Sequence, residues 1–168
     1  MHKEKLKLYR ELAASWAADL KKQRITASAP LEAEYWHSEE PFPFRERNAG
    51  EFRPIRIGEK WGENWQCAWF HIHGGVPGGW SGEIRARLQF GGEALVYDAA
   101  GRALGALTDH SIFVPNYQRE ELPLPPGCRS IDWYADAGAN NYFGLLLDVR
   151  PGQSQPLRPS PGVVSRLE

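Results

Sequence analysis

The chain is poor in cysteine, in net charge and in long apolar runs, and each shortage removes a class of explanation. Two cysteines in 168 residues are too few for a disulfide scaffold, and a domain of this length buries enough surface to stand without one. The start, Met1-His2-Lys3-Glu4-Lys5, is charged and mixed, with no apolar core of a signal peptide. Cys67 and Cys128 are therefore expected as two buried or partly buried thiols in a reducing compartment. Lys and Arg number 20 against 21 Asp and Glu, a net charge of −1. That balance gives no electrostatic reason to expect nucleic acid or an anionic membrane as partner. No run is long enough to span a bilayer. No Asn-x-Ser/Thr sequon occurs, which fits the expectation of a cytoplasmic protein.

What is present is concentrated between Gly58 and Tyr97, which hold four of the seven tryptophans. Cys67 to His73 alternates, with Ala68, Phe70 and Ile72 on one face and Trp69, His71 and His73 on the other. Ile84 to Phe90 alternates more cleanly: Ile84, Ala86, Leu88 and Phe90 against Arg85, Arg87 and Gln89. A period of two marks a strand with one buried and one wet face. Val76-Pro77-Gly78-Gly79-Trp80-Ser81-Gly82 turns the chain between these runs, and Gly91-Gly92 opens a turn into Glu93–Tyr97. The pattern predicts an antiparallel β-meander at the centre of the fold.

Taken in order, residues 1–25 are expected to hold the one convincing helix. Leu8, Leu12, Trp16 and Leu20 recur every four residues, and Lys21, Lys22 and Arg24 sit in the last turn, where cations oppose the helix dipole. Such a stripe must be covered, either by the β-domain or by a partner or further domain. Residues 25–54 carry Pro30, Pro41, Pro43 and Pro54 with little periodicity, and read as an ordered extended connector anchored by Tyr35, Trp36, Phe42 and Phe44. Phe52–Ile57 reads as an edge strand, where Pro54 is tolerable. Further strands are expected at Ala103–Leu107, Ser111–Pro115, Ile131–Ala135 and Phe143–Val149, with Asp98–Gly101 as a turn. The expected core is Phe70, Ile72, Leu88, Phe90, Val96, Trp133, Phe143, Leu145 and Leu147. Short strands at this spacing make an all-β sandwich over residues 26–150. From Pro151 the composition shifts to Pro, Gly, Ser and Gln, so residues 151–168 read as a linker or tail.

Five motifs then occur in a telling order: Gly58-Glu59-x-Trp61-Gly62-x-x-Trp65-x-x-x-Trp69-Phe70, Val76-Pro77-x-x-Trp80-x-Gly82, Gly92–Val96, Gly101-x-x-Leu104-Gly105 and Ala139–Gly144. Together they resemble the N-terminal β-sandwich domain of family 38 glycoside hydrolases, the retaining α-mannosidases of bacterial and fungal cytosolic type. A broader similarity runs to the jelly-roll, galactose-binding-like domains of β-galactosidase-type enzymes. The resemblance implies a jelly roll and a catalytic α-mannosidase domain in cis as partner. In those enzymes a following α/β domain holds zinc through His and Asp and supplies an Asp nucleophile. No His-x-Asp segment occurs here. The resemblance therefore implies a non-catalytic module with no cofactor of its own, supporting the catalytic domain, its oligomer or carbohydrate binding. The alternative is a free-standing carbohydrate-binding module.

Three groups of residues bear on chemistry. A pyranose needs a flat apolar face and adjacent polar groups. Trp61, Trp65 and Trp80 in loops, with Asn140, Asn141 and Tyr142, are the candidates for a mannose-type ligand, although loop tryptophans of a sandwich more often plug its ends. His71-x-His73 places two imidazoles on one strand face, a pair that chelates zinc if a third ligand joins them, Cys67 being on the same face. No metal site is expected, because zinc sites usually show three or four clustered ligands. Glu93, Asp109, Asp132 and Asp136 lie near turns, and their spacing sets no two of them across a cleft, so no catalytic residue is assigned.

Overall fold

The structure, a computed structural model, describes residues 2–23, 25–63, 65–108, 119–139 and 166–167. One helix, α1 (His2–Gln23), precedes the strands. In chain order these are β1 (Ala29–Pro30), β2 (Glu32–Ser38), β3 (Arg53–Pro54), β4 (Cys67–Gly75) and β5 (Arg85–Arg87). They continue with β6 (Glu93–Asp98), β7 (Ala103–Thr108), β8 (Glu121–Pro123), β9 (Ser130–Gly138) and β10 (Arg166–Leu167). The strands form two antiparallel sheets, a smaller one in the order β1-β10-β5-β8 and a larger one in the order β3-β2-β4-β9-β6-β7. The expected all-β sandwich with one N-terminal helix is what forms.

Alternation decides which side chains enter the core. From the larger sheet come Phe70 and Ile72 of β4, Ile131, Trp133 and Ala135 of β9, and Val96 of β6; the smaller sheet side contributes Ala86, Leu88 and Phe90. Phe70, Ile72, Ala86, Val96 and Ala135 are fully buried. Of these, Phe70, Ile72 and Val96 each contribute about 1.5–3 kcal/mol on leaving water. The expected core residues Phe143, Leu145 and Leu147, and the expected strands Ser111–Pro115 and Phe143–Val149, lie outside the described residues.

The meander is corrected. β4 pairs with β2 and β9, β5 with β8 and β10, and β6 with β7 and β9. The chain thus crosses from the larger sheet to the smaller and back. Periodicity specifies which residues face the core, and facing strands satisfy it as well as adjacent ones. β6 pairs with the strand that follows it, β7, in a hairpin around Gly101, whose φ of 89° needs a glycine.

The connector is corrected as well. Residues 32–38 form β2, the partner of β4 along seven residues from Glu32↔His73 to Ser38↔Cys67. Leu31 and Tyr35 point into the core, and no proline falls within β2, so each of its residues keeps an amide for the ladder. β3 is the expected edge strand, shorter than read, with Pro54 on the outer rim.

Trp69 is a third correction. It points away from the sandwich core yet is 2% exposed. The segment after β2 folds over the outer face, and Phe44 meets Trp69, Tyr97 and Tyr134 at ring distances of 5.9, 5.1 and 6.1 Å. Arg47 lies 4.1 Å from the Phe44 ring and 4.6 Å from that of Tyr134. Trp36 donates its indole N–H to the Arg47 carbonyl at 2.5 Å and packs edge-on against Phe42. The larger sheet is therefore apolar on both faces over its middle.

The helix behaves otherwise. Leu8, Leu12, Trp16 and Leu20 are all exposed, Trp16 at 66%. Of the two expected covers for the stripe, the sandwich does not supply it. No helix among the described residues is long and apolar enough to cross a membrane.

Candidate functional site

The candidate tryptophans separate by role. Trp61 is buried, donates its indole N–H to the Phe90 carbonyl at 2.7 Å, and stands edge-on to Phe70 at 5.3 Å. It plugs one end of the core and offers no face to a ligand. Trp80 is half-buried against the core, and no ring contact joins it to Trp61 or Trp65 among the described residues. Trp65 is 57% exposed. Its φ of 72° is the one positive value among the described non-glycine residues, a conformation costly for a bulky side chain. The amide of Trp65 donates to the Ala139 carbonyl at 3.0 Å, and the Ala139 amide to the Gln66 carbonyl at 2.9 Å. Asn140, Asn141 and Tyr142, which follow Ala139, lie outside the described residues.

Beside this end of the larger sheet lies a cavity of about 580 Å³, with Pro41, Cys67, Leu95, Ala106, Arg119 and Asp136 among its walls. Burial pushes the Asp136 carboxyl above its ordinary range. Burial likewise raises the Cys67 thiol, with the charges of Asp136 and Glu40 adding to it. Glu93 also lines the cavity. The register sets Leu95 opposite Asp136, so Glu93 and Asp136 are diagonal neighbours on adjacent strands. The fold thus brings two of the four weighed carboxylates together, which spacing did not show. Asp109 lies outside the described residues.

The histidine pair sits elsewhere on the outer face. Glu34 is directly across from His71, and Glu32 and Asp132 flank His73 on either side. His71 Nδ1 is 2.9 Å from Glu34 Oε1, and its Nε2 is 2.8 Å from Asp132 Oδ1. Tyr134 stacks on the His71 ring at 4.6 Å, and His73 follows at 5.0 Å.

Comparison with known proteins bears on this architecture. Residues 29–157 match the family model described as alpha-mannosidase, jelly roll domain. The chain belongs to this family. Alpha-mannosidase 2C1 of Homo sapiens is 28% identical to it over 110 residues, which are 62% of this chain and 10% of that protein. The jelly roll domain thus spans about a tenth of the length of that relative. The resemblance to the N-terminal β-sandwich of α-mannosidases is borne out.

The residues of this jelly roll domain do not fit the zinc set of the resembled enzymes. No His-x-Asp segment occurs, and the group of three donors among the described residues is Glu34, His71 and His73, on an outer sheet face. The sequence offers the two histidines and Asp132 but not Glu34, because the proline-flanked β2 reads as a connector. The signal was there: Leu31, Ala33 and Tyr35 alternate with Glu32 and Glu34.

Proposed function

We propose that this jelly roll domain is the non-catalytic N-terminal module of a cytoplasmic family 38 α-mannosidase-type glycoside hydrolase. In this reading it supports the catalytic domain in cis and the enzyme's oligomer, and α1 is the contact element. The exposed stripe of α1 carries the proposal. Leu8, Leu12, Trp16 and Leu20 are 39–68% exposed, and covering what remains contributes on the order of 1 kcal/mol for each leucine, which favours a partner over water. Light scattering of the isolated chain over a range of concentrations tests it. Association through self-complementary helices, abolished by Trp16→Glu, is the expected result. The isolated chain is also expected not to hydrolyse aryl α-mannosides. Turnover that survives re-purification and disappears on Glu93→Gln or Asp136→Asn would overturn the non-catalytic reading.

A second reading, a carbohydrate-binding module, is favoured by Trp65, whose exposed ring and strained backbone suit a sugar platform. Asn140, Asn141 and Tyr142 are its proposed polar and aromatic companions. A monomer at high concentration, unaffected by Trp16→Glu and titrating with mannosides in a Trp65-dependent way, would put this reading first.

A further inference from the structure

We propose that Glu34, His71 and His73 form a binding site for one divalent d-block cation, zinc above all, with Asp132 as the residue that positions His71. The ligand atoms of the three residues all lie within 4.8 Å of one another. Ligands about 2.0–2.2 Å from a tetrahedral zinc ion stand about 3.3–3.6 Å apart, so side-chain adjustments of about 1–1.5 Å close the site. Two imidazoles and one carboxylate, with a fourth position for water or another ligand, are a recurrent zinc set. Imidazole selects zinc and its transition-metal neighbours over magnesium and calcium, which prefer oxygen alone.

The backbone prepares this arrangement. His71 and His73 are two apart on β4, so both project from the same face, and their rings are 5.0 Å apart. The β2–β4 register places Glu34 opposite His71. Cys67, the ligand that sequence spacing offered, is four residues before His71 on the same strand, about 13 Å away at a rise of about 3.3 Å per residue.

Hydrogen bonding supplies a second, independent argument. A neutral imidazole has one N–H, yet both nitrogens of His71 face carboxylate oxygens, at 2.9 and 2.8 Å. If Nε2–H donates to Asp132, the Nδ1 lone pair confronts the Glu34 anion. A cation between Nδ1 and Glu34 turns that repulsion into shared ligation. Asp132 then holds the far nitrogen of a metal-bound histidine, the arrangement that fixes ring orientation and tautomer. Tyr134 stacked at 4.6 Å and Phe52 edge-on at 6.1 Å hold the same ring in place. The donors are half-buried, and Glu34 and His73 also line an open groove of about 510 Å³ with Ile55 and Pro54, which gives the ion a way in.

Calorimetry and equilibrium dialysis of the full chain, free of any histidine tag, test the site with zinc chloride and then cobalt chloride as probes. One zinc per chain is expected, and visible cobalt bands typical of four- or five-coordination. Glu34→Gln and His73→Ala should each weaken zinc at least tenfold and remove the cobalt bands. Asp132→Asn should weaken it by about ten- to a hundredfold while keeping the stoichiometry, as expected of a positioning residue. Cys67→Ser and His37→Ala should leave affinity unchanged. Far-ultraviolet circular dichroism identifies any variant that fails to fold, and Glu34→Gln preserves side-chain size for that reason. No saturable binding at about 100 µM zinc would overturn the proposal. Stoichiometry unchanged in a His71→Ala/His73→Ala variant, or equal competition by magnesium or calcium, would overturn it too.

Discussion

The indole N–H of Trp69 donates to the backbone carbonyl of Phe42 at 3.1 Å, tying the outer face of β4 to the segment that covers it. An outward-pointing side chain is thereby buried as deeply as its inward neighbour Phe70. Trp69→Ala is expected to cost about 3–5 kcal/mol, matching Phe70→Ala, and the half-buried Phe44→Ala about 2 kcal/mol. Urea denaturation measures all three. A loss for Trp69→Ala below about 0.5 kcal/mol, the usual value for an exposed position, would mean that the cover is absent in solution.

Gly50 serves the same cover by having no side chain. A Cβ there would stand 2.4 Å from Cδ2 of Trp36, which is itself held by its bond to the Arg47 carbonyl. Gly50→Ala should therefore destabilise by about 1–3 kcal/mol through overpacking. Combining it with Trp36→Leu should recover part of that loss in a double-mutant cycle. Strict additivity of the two changes would refute the contact.

Leu88 and Arg87 test the register of the smaller sheet. Leu88→Ala, from a fully buried site, should cost about 2–5 kcal/mol. Arg87 pairs with Glu121 at 3.0 Å, and Arg85 reaches the same carboxylate at 3.4 Å. Because Arg85 remains, Arg87→Ala should cost only about 1 kcal/mol or less. Equal losses at the two positions would show the faces to be misassigned.

Asp136 makes stability depend on pH with a definite sign. Its carboxyl is raised by burial, so the folded chain holds that proton more tightly than the unfolded chain does. The group costs nothing while protonated in both states, and stability falls as pH climbs from the unfolded value of about 3.9 through the folded one. Asp136→Asn should thus melt higher than the parent near pH 7 and match it near about pH 3.5. It should also speed thiol modification at Cys67, since the Asp136 charge is one cause of the raised thiol. Parent and variant differing equally at both pH values would contradict the assignment.

The strand faces were legible in the sequence because a period of two is a local property: it read Phe70, Ile72, Leu88, Phe90, Val96 and Trp133 correctly as core. The order of the five motifs carried the family, since glycines, prolines and tryptophans at fixed offsets record turn and end-plug geometry. Which strands become neighbours was not legible, because facing and adjacent strands bury the same alternating side chains; β5 and β6 on opposite sheets are a long-range decision. For the same reason the burial of Trp69 awaited the segment that folds over it, and Trp61 and Trp65, four residues apart, took opposite roles through their surroundings alone. The meeting of Glu34, His71, His73 and Asp132 belongs to the tertiary structure as well. Two of these residues stand two apart on one strand and are visible as a pair; the others reach them only through pairing register, which sequence distance does not encode.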